Sequence, residues 1–467
     1  PLYSTDDGWT VRFASQVKAI LAGGGVSDDP DPAGLVGFCL WGSVPEPHTL
    51  YRDIHLLPAG CFMRVDGLGS HEPQTYESVA NIISEGHTNL VSETDVEEAI
   101  SNAARESVAA HLLADVEVGL FLSAGIDSGA LLGLMRDAGA EKVRAITLGF
   151  SEFRGGHEDE TILAAKVAAH YGAEHVVRFV GEKEFLDDLP ALLHHMDQPS
   201  IDGVNTWFVS KAAKEAGLKV AMSGLGSDEI LAGYPSFTDI PNWVSKMRPI
   251  SALPGLGVLG RKIISRLPSA WRNPKLAGLP QYGGSYPGAY LLRRGLFMPW
   301  ELGEVLGDPA VLAEGLRRLD PLGSLSRTLP PFPCSPVSRV AALESCHYMR
   351  NQLLRDADWA GMAHGIEIRV PFVDVSFLRS VSSATPFLRR RRGKAALAAS
   401  PSVPLPKEVA NRAKTGFGVP TGTWLSRVVG GSGSAKTKGE ASRGWAQHVL
   451  RFQMAVEMAG DLDGSAA

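Results

Sequence analysis

The hydrophobic pattern changes character along the chain. Up to about residue 80, short clusters of β-forming residues ("WTVRFAS", "GLVGFCLWG", "GCFMRVDG") are separated by Gly, Pro and Asp, and predict strands and turns. At residue 92 the texture shifts: "SETDVEEAISNAARESVAAHLLAD" opens on a Ser/Thr/Asp cap and continues as an amphipathic helix. Apolar runs then alternate with amphipathic stretches. "VGLFL", "VRAITLGF", "EHVVRFV" and "KVAMSG" read as strands, and "DETILAAKVAAHYG" and "NTWFVSKAAKEAG" as helices. Such alternation predicts an α/β fold, a doubly wound parallel sheet covered on both faces. In such sheets ligands bind beyond the carboxyl ends of the strands, where strand order reverses. Residues 240 to 335 are rich in Pro and Gly and predict irregular helices and loops; residues 338 to 400 predict helix. From 429, "VGGSGSAKTKGEASRG" predicts a flexible tail. The expected partition is 1–80, 92–428 and 429–467.

Two strand ends carry unusual chemistry. "VGLFLSAGIDSGALLGLM", residues 118 to 135, reads as strand, tight turn and helix, with Ala130, Leu131, Leu134 and Met135 on one helical face. Ser123, Gly125, Asp127 and Ser128 fall in the turn. A helix start presents unpaired N–H groups and a positive dipole end, which suits an anion such as phosphate; the alternative is an ordinary βα turn. "AMSGLGSDEILAGYPSF", 221 to 237, places Gly224 and Gly226 after a strand, then Asp228 and Glu229. Glycines let backbone approach a nucleotide closely. A carboxylate beside phosphates needs a divalent cation between them, so Asp127 and Asp228 are a candidate Mg²⁺ pair. The alternative for Asp228 is a helix cap.

Later segments add charge. "RDADWAGMAHGIEIRVPFVD", 355 to 374, sets Arg355, Asp356, Glu367, Arg369 and Asp374 among apolar residues, which predicts buried pairing, either architectural or for orienting a substrate. "NRAKTGFGVPTGTWL", 411 to 425, carries Lys414, a point charge suited to a leaving pyrophosphate or else an exposed surface lysine. Three further stretches are weaker. "GLGVLG" at 255 lacks the strand–helix context of a dinucleotide loop. The adjacent histidines of "LHHMD" at 193 diverge by about 100° on a helix and do not favour a shared metal. The basic run "FLRRRRGK", 387 to 394, reads as a solvated face, the alternative being contact with a nucleic acid or another polyanion.

Bulk properties narrow the picture. At 467 residues, two or three domains are expected. A net charge of −6 gives no general pull toward nucleic acid or anionic membrane. No uncharged apolar stretch is long enough for a bilayer helix, and Cys39, Cys61, Cys334 and Cys346 lack zinc or disulfide-framework spacing. No leader pattern is present, so a cytoplasmic location is expected. The first residue is Pro1 rather than Met, so the chain is expected either to begin within a domain or to have been cut.

Taken together, "LSAGIDS", "SGLGSDEILAGY", "MAHGIEIRVPFVD" and "KTGFGVP" resemble, in order, the motifs of the synthetase half of glutamine-dependent asparagine synthetases. "PLYS", "FASQVKAIL" and "LPAGCFMRVDG" resemble the end of that family's N-terminal glutaminase domain. The resemblance covers nearly the whole chain to about 425. It implies an ATP-pyrophosphatase-type fold behind the remnant of an N-terminal-nucleophile glutaminase domain. It also implies a ligase of asparagine biosynthesis. A substrate carboxylate, that of aspartate, would attack ATP to give an acyl-adenylate and pyrophosphate; ammonia, drawn from glutamine in the intact protein, would then displace AMP. The implied partners are small molecules and a second copy of the chain, with no membrane and no nucleic acid. By the same resemblance Leu122, Ser123, Gly125, Asp127, Ser128, Leu148, Ser223 and Gly224 would bind ATP. Asp127 and Asp228 would hold Mg²⁺, Lys414 and Asp228 would serve catalysis, and Arg355, Glu367 and Arg369 would bind substrate or brace the site.

Three departures change the expectation. Ala124 stands where the family usually has glycine, and would be strained if that position needs positive φ. Leu225 stands where well-known members carry a glutamate thought to help the incoming ammonia lose a proton, which leaves the nucleophile open. The family's glutaminase cysteine is N-terminal; Cys39 and Cys61 lie in the wrong segments, so glutamine hydrolysis is not expected of the chain as given. A related amide or lactam ligase, as in β-lactam synthetase relatives, and a non-catalytic nucleotide-binding homologue are the alternatives.

Overall fold

A computed structural model describes residues 1–156, 158–251, 253, 255–266, 274–331, 334–388, 392–412, 418–420, 423–424 and 438–464. The N-terminal region is a small antiparallel sheet in the order β2-β1-β3, formed by β1 (Tyr3–Asp6), β2 (Val11–Ala14) and β3 (His55–Leu56). Two helices accompany it, α1 (Val17–Ala22) and α2 (Pro32–Trp41). Helix α2 corrects the strand expected from "GLVGFCLWG". Asp31 caps it, accepting from the Ala33 N–H at 2.9 Å, and Pro32 supplies the first-turn position that needs no N–H. Because α2 is buried on nearly every side, its sequence lacks the helical alternation that a half-exposed helix shows.

The larger part is the doubly wound sheet. Its strands β4 (Val118–Phe121), β5 (Arg144–Phe150), β6 (Glu174–Val180), β7 (Val220–Met222) and β8 (Glu367–Arg369) run parallel in the order β6-β5-β4-β7-β8. Strand β8 lies where continuous helix was expected: "EIR" pairs with β7 in register Val220 to Glu367. Side chains alternate between the faces of β5. Ile146, Leu148 and Phe150 enter a core shared with α2, Phe185, Trp207 and Trp445; Ala145 enters the opposite core with Leu120, Leu131, Met222 and Leu397.

Order reverses between β4 and β7, so the turns leaving these two strands sit side by side at the switch point. Helix α3 (Ile126–Asp137) follows β4, and the one-turn helix α4 (Ser227–Ile230) follows β7. Two later helices reach this edge, α5 (Leu354–Ala363) and α6 (Arg392–Ala399). A third, α7 (Lys438–Gly464), lies in the stretch expected to be a flexible tail; its Trp445, Ala446 and Val449 are buried. None of the described helices is long and apolar enough to cross a membrane.

Candidate active site at the switch point

The turn after β4 is folded around two hydroxyls. The Ser123 N–H donates to Ser128 Oγ at 3.0 Å, and the Gly125 N–H donates to Ser123 Oγ at 3.2 Å. Strand β5 holds the turn from behind: the Leu122 N–H donates to the Ile146 carbonyl, and the buried Thr147 hydroxyl donates to the Leu122 carbonyl, each at 2.8 Å. Gly125 is the N-cap of α3, with φ −87° and no side chain closing the helix end. That open start borders the cleft described below. Ala124 does not take the positive φ that would have strained it. The non-glycine residues with positive φ, among those described, are Ala232 and Asp320, and Ala124 is fully buried in an ordinary backbone conformation.

The turn after β7 approaches so closely that glycine is required. A Cβ on Gly224 would stand 2.9 Å from Asp127 Cβ and 3.1 Å from the Ser128 nitrogen. Gly226, with φ +91°, starts α4 in a conformation L side chains disfavour. The Ser223 N–H donates to the Arg369 carbonyl at 2.8 Å, which ties this turn to β8.

Asp127 and Asp228 converge, and a lysine joins them. Lys394 Nζ lies 2.7 Å from Asp228 Oδ1, donates to Ser227 Oγ at 2.7 Å, and donates to Asp127 Oδ1. Burial opposes the ammonium's charge, but the Asp127 and Asp228 carboxylates outweigh it and hold its pKa above the ordinary lysine value. Lys394 belongs to the basic run expected on a solvated face; its side chain is 7% exposed. The periodicity of "KAALAA" carried the signal, because Lys394 shares a helical face with buried Leu397 and Ala398.

These groups line a cleft of about 1400 Å³. Leu122, Ser123, Gly125, Asp127 and Ser128 border it from the first turn, Leu148 from β5, and Ser223 and Gly224 from the second turn. Leu225 also lines it and brings no acid. One helical turn on, Glu229 is buried, and burial together with the Asp228 charge pushes its carboxyl up to about 7 against a hydrogen bond from the Tyr234 hydroxyl at 2.8 Å. The far wall was not legible in the sequence. There Arg294 donates to buried Glu344 at 2.8 Å while its guanidinium sits between the rings of Tyr234 (4.5 Å) and Tyr348 (3.8 Å). Trp41 and Ser43 from the N-terminal region and Arg443 from α7 also border the cleft.

The other expected residues are placed elsewhere. Arg355 faces a smaller cavity beside Tyr3 and Asp197, and donates to the Val44 carbonyl and to Asn351 Oδ1 at 3.1 Å. Glu367 and Arg369 do pair, at 2.7 Å, but on edge strand β8 with Glu367 exposed, not buried as expected. Asp374 caps the helix Val375–Ser382. Lys414 lies outside the described residues. "GLGVLG" forms part of the helix Leu256–Ile264.

No group of three or more His, Cys, Asp or Glu able to hold a metal occurs among the described residues. The Asp127–Asp228 pair nevertheless suits a Mg²⁺ that takes one or two protein carboxylates and draws its other ligands from phosphate and water. The two carboxylates already share one cation, the Lys394 ammonium.

Fold and site together define a doubly wound α/β protein of the ATP-pyrophosphatase type, with its cleft at the topological switch point. The chain belongs to the asparagine synthase family, whose model matches residues 99–436; the model of a glutamine amidotransferase domain matches residues 1–77. A Mycobacterium tuberculosis protein provisionally named asparagine synthetase (glutamine-hydrolysing) is 30% identical over 91% of this chain and 64% of its own length. Asparagine synthetase (glutamine-hydrolysing) 1 of Bacillus subtilis is 27% identical over 91% of this chain and 65% of its own. An amidase of Penicillium rubens is 27% identical over 41% of this chain and 30% of its own. The chain thus spans just under two thirds of the length of the first two of these relatives.

Proposed function

We propose that this chain forms an amide through an acyl-adenylate, converting aspartate to asparagine with ATP as the activating substrate. Family membership supports the reaction class. The single observation that carries the reading is the convergence of Asp127, Asp228 and Lys394 where two glycine-bearing turns meet at a strand switch point. A carboxylate is a poor electrophile until one oxygen becomes a good leaving group. Attack of that oxygen on the α-phosphorus expels pyrophosphate and gives the acyl-adenylate; ammonia then attacks the acyl carbon and AMP departs.

The N–H groups at the open start of α3 bind phosphate oxygens. Ser123, Ser128 and Ser223 orient the nucleotide, and Leu122 and Leu148 pack against its base. Asp127 and Asp228 would hold Mg²⁺, and Lys414 would meet the pyrophosphate as a point charge. Mg²⁺, when bound, supplies charge neutralisation at the phosphates. In the intact protein the nitrogen comes from glutamine, and the setting is cytoplasmic.

The test is to incubate the chain with ATP, Mg²⁺, aspartate and ammonium and to quantify asparagine, AMP and pyrophosphate. Equimolar asparagine and AMP are expected. Pyrophosphate released with some other carboxylic acid, and none with aspartate, would overturn the choice of substrate. Leu225 on the cleft wall favours a second reading, an amide or lactam ligase acting on another carboxylate, and a substrate screen by pyrophosphate release separates the two.

A further inference from the structure

The proposed reaction gives Lys394 a place beside Asp127 and Asp228 but no step. We infer that its ammonium is the resident cation of the Asp127–Asp228 pair and makes entry of a divalent cation there conditional on bound nucleotide. The inference rests on the reading above only in taking a nucleoside triphosphate to occupy the cleft.

The geometry is that of a built site. A lysine ammonium has three donors, and Lys394 meets three acceptors, on Asp127, Asp228 and Ser227. Two glycines let it arrive. A Cβ on Gly393 would stand 2.6 Å from the Leu231 carbonyl oxygen, so α6 packs directly on the segment after α4. A Cβ on Gly233 would stand 2.5 Å from Lys394 Cε and 1.9 Å from Asp228 Oδ1. The carboxylates keep an open side, with Asp127 24% and Asp228 14% exposed against 7% for the lysine. A purely architectural ion pair has no need to border the cleft; here both acids and the lysine line it.

Charge then dictates an order of events. Two carboxylates and one ammonium leave a single net negative charge. A divalent cation approaching them meets a positive charge already in place, and Coulomb repulsion between neighbouring cations opposes its entry. A triphosphate changes this by offering the ammonium new anionic partners. Lysine is a compact charge on a flexible stem, so Lys394 can turn from carboxylate to phosphate oxygens and free the acids for the metal. It acts as a positioning residue for the empty pair and as a phosphate contact when nucleotide is bound.

Mn²⁺ titration of the full chain, followed by the electron paramagnetic resonance of free Mn²⁺, tests this without turnover. Without nucleotide, Lys394→Met should bind Mn²⁺ at least about tenfold more tightly than the wild type, and adding Asp228→Asn should abolish the gain. Equal affinity in wild type and Lys394→Met would overturn the inference. Should Lys394→Met not fold, melting of the wild type decides. Mn²⁺ with a non-hydrolysable ATP analogue should raise the melting temperature and Mn²⁺ alone should not; an equal rise with Mn²⁺ alone overturns it. An analogue that shifts no melt overturns nucleotide binding and this inference with it. Loss of aspartate turnover with the Mn²⁺ contrast intact defeats only the choice of substrate.

Discussion

At Gly233 an added side-chain atom has almost no room. A methyl group there would stand 1.9 Å from Asp228 Oδ1, and neither that carboxylate nor Lys394 can yield without giving up bonds inside a buried cluster. Gly233→Ala should cost about 1–3 kcal/mol of stability and weaken nucleotide binding. Urea melts and a nucleotide titration measure the two effects, and an unchanged value in both would show the cluster to be loose. The acids of this cluster were singled out by their turn motifs, where small residues at a strand end let backbone approach a ligand closely. Lys394 is masked by the arginines around it, and only the helical spacing of "KAALAA" marks it as belonging to the buried face of α6. Arg392, two residues earlier, does keep to the surface and pairs with Glu93 and Glu97.

Among the elements, α5 joins the sheet to the N-terminal region. Its Asp356 is fully buried, accepting from Ser200 Oγ at 2.8 Å and from Trp359 Nε1 at 2.8 Å, and burial nevertheless pushes its carboxyl up to about 8. In the unfolded chain the same group releases its proton near 3.9. Between those values the folded chain binds more protons, so this group's contribution to stability falls as pH rises through the window and is constant outside it. Asp356→Asn, which keeps an acceptor for Trp359 and gains a donor for Ser200, should flatten the fall between pH 4 and 8, at about 1 kcal/mol per pH unit where the slope is greatest. Chemical denaturation at several pH values checks this. Helix α2 depends on a different buried acid. Asp31 caps it and also receives Arg318 at 2.6 Å and His48 at 3.3 Å. Asp31→Ala should destabilise by about 3–5 kcal/mol, because it removes the cap and strands a partly buried arginine; a loss below 1 kcal/mol in thermal or urea unfolding would contradict that. The misreading of α2 and of β8 has one cause. A helix buried all round and a short edge strand both lack the periodicity by which a half-buried element announces itself.

Across the whole molecule, the N-terminal region, the sheet and α7 share a core. Asp197, from the sheet side, accepts from the Val17 N–H at 2.8 Å and the Lys18 N–H at 3.0 Å at the start of α1. Trp445 on α7 packs 6.3 Å from Phe185, which in turn lies 4.9 Å from Trp424. On the same helix Arg443 grips Glu301 through both guanidinium nitrogens at 2.9 Å and borders the cleft. Trp445→Ala should therefore cost about 3–5 kcal/mol and lower nucleotide affinity as well. Calorimetry and a nucleotide titration separate these effects; a variant with unchanged stability would show that α7 does not contribute to the core. Turn composition predicted looseness here because Gly and Ser dominate the approach to α7, whereas the anchoring aromatic comes later and finds its partners only in three dimensions.

Local sequence by itself determined the alternation of strands and helices from residue 92 to about 222, and marked the turns that carry Asp127 and Asp228. Those features follow from side-chain periodicity and from backbone freedom at small residues, both short-range properties. Tertiary structure decided the strand order, the burial of α2, the reach of α7 to the cleft wall, and the meeting of Asp127 with a lysine 267 residues away. Such meetings depend on which faces the packed core leaves available, and desolvation rewards a charge there only when its counter-charge arrives from a distant segment.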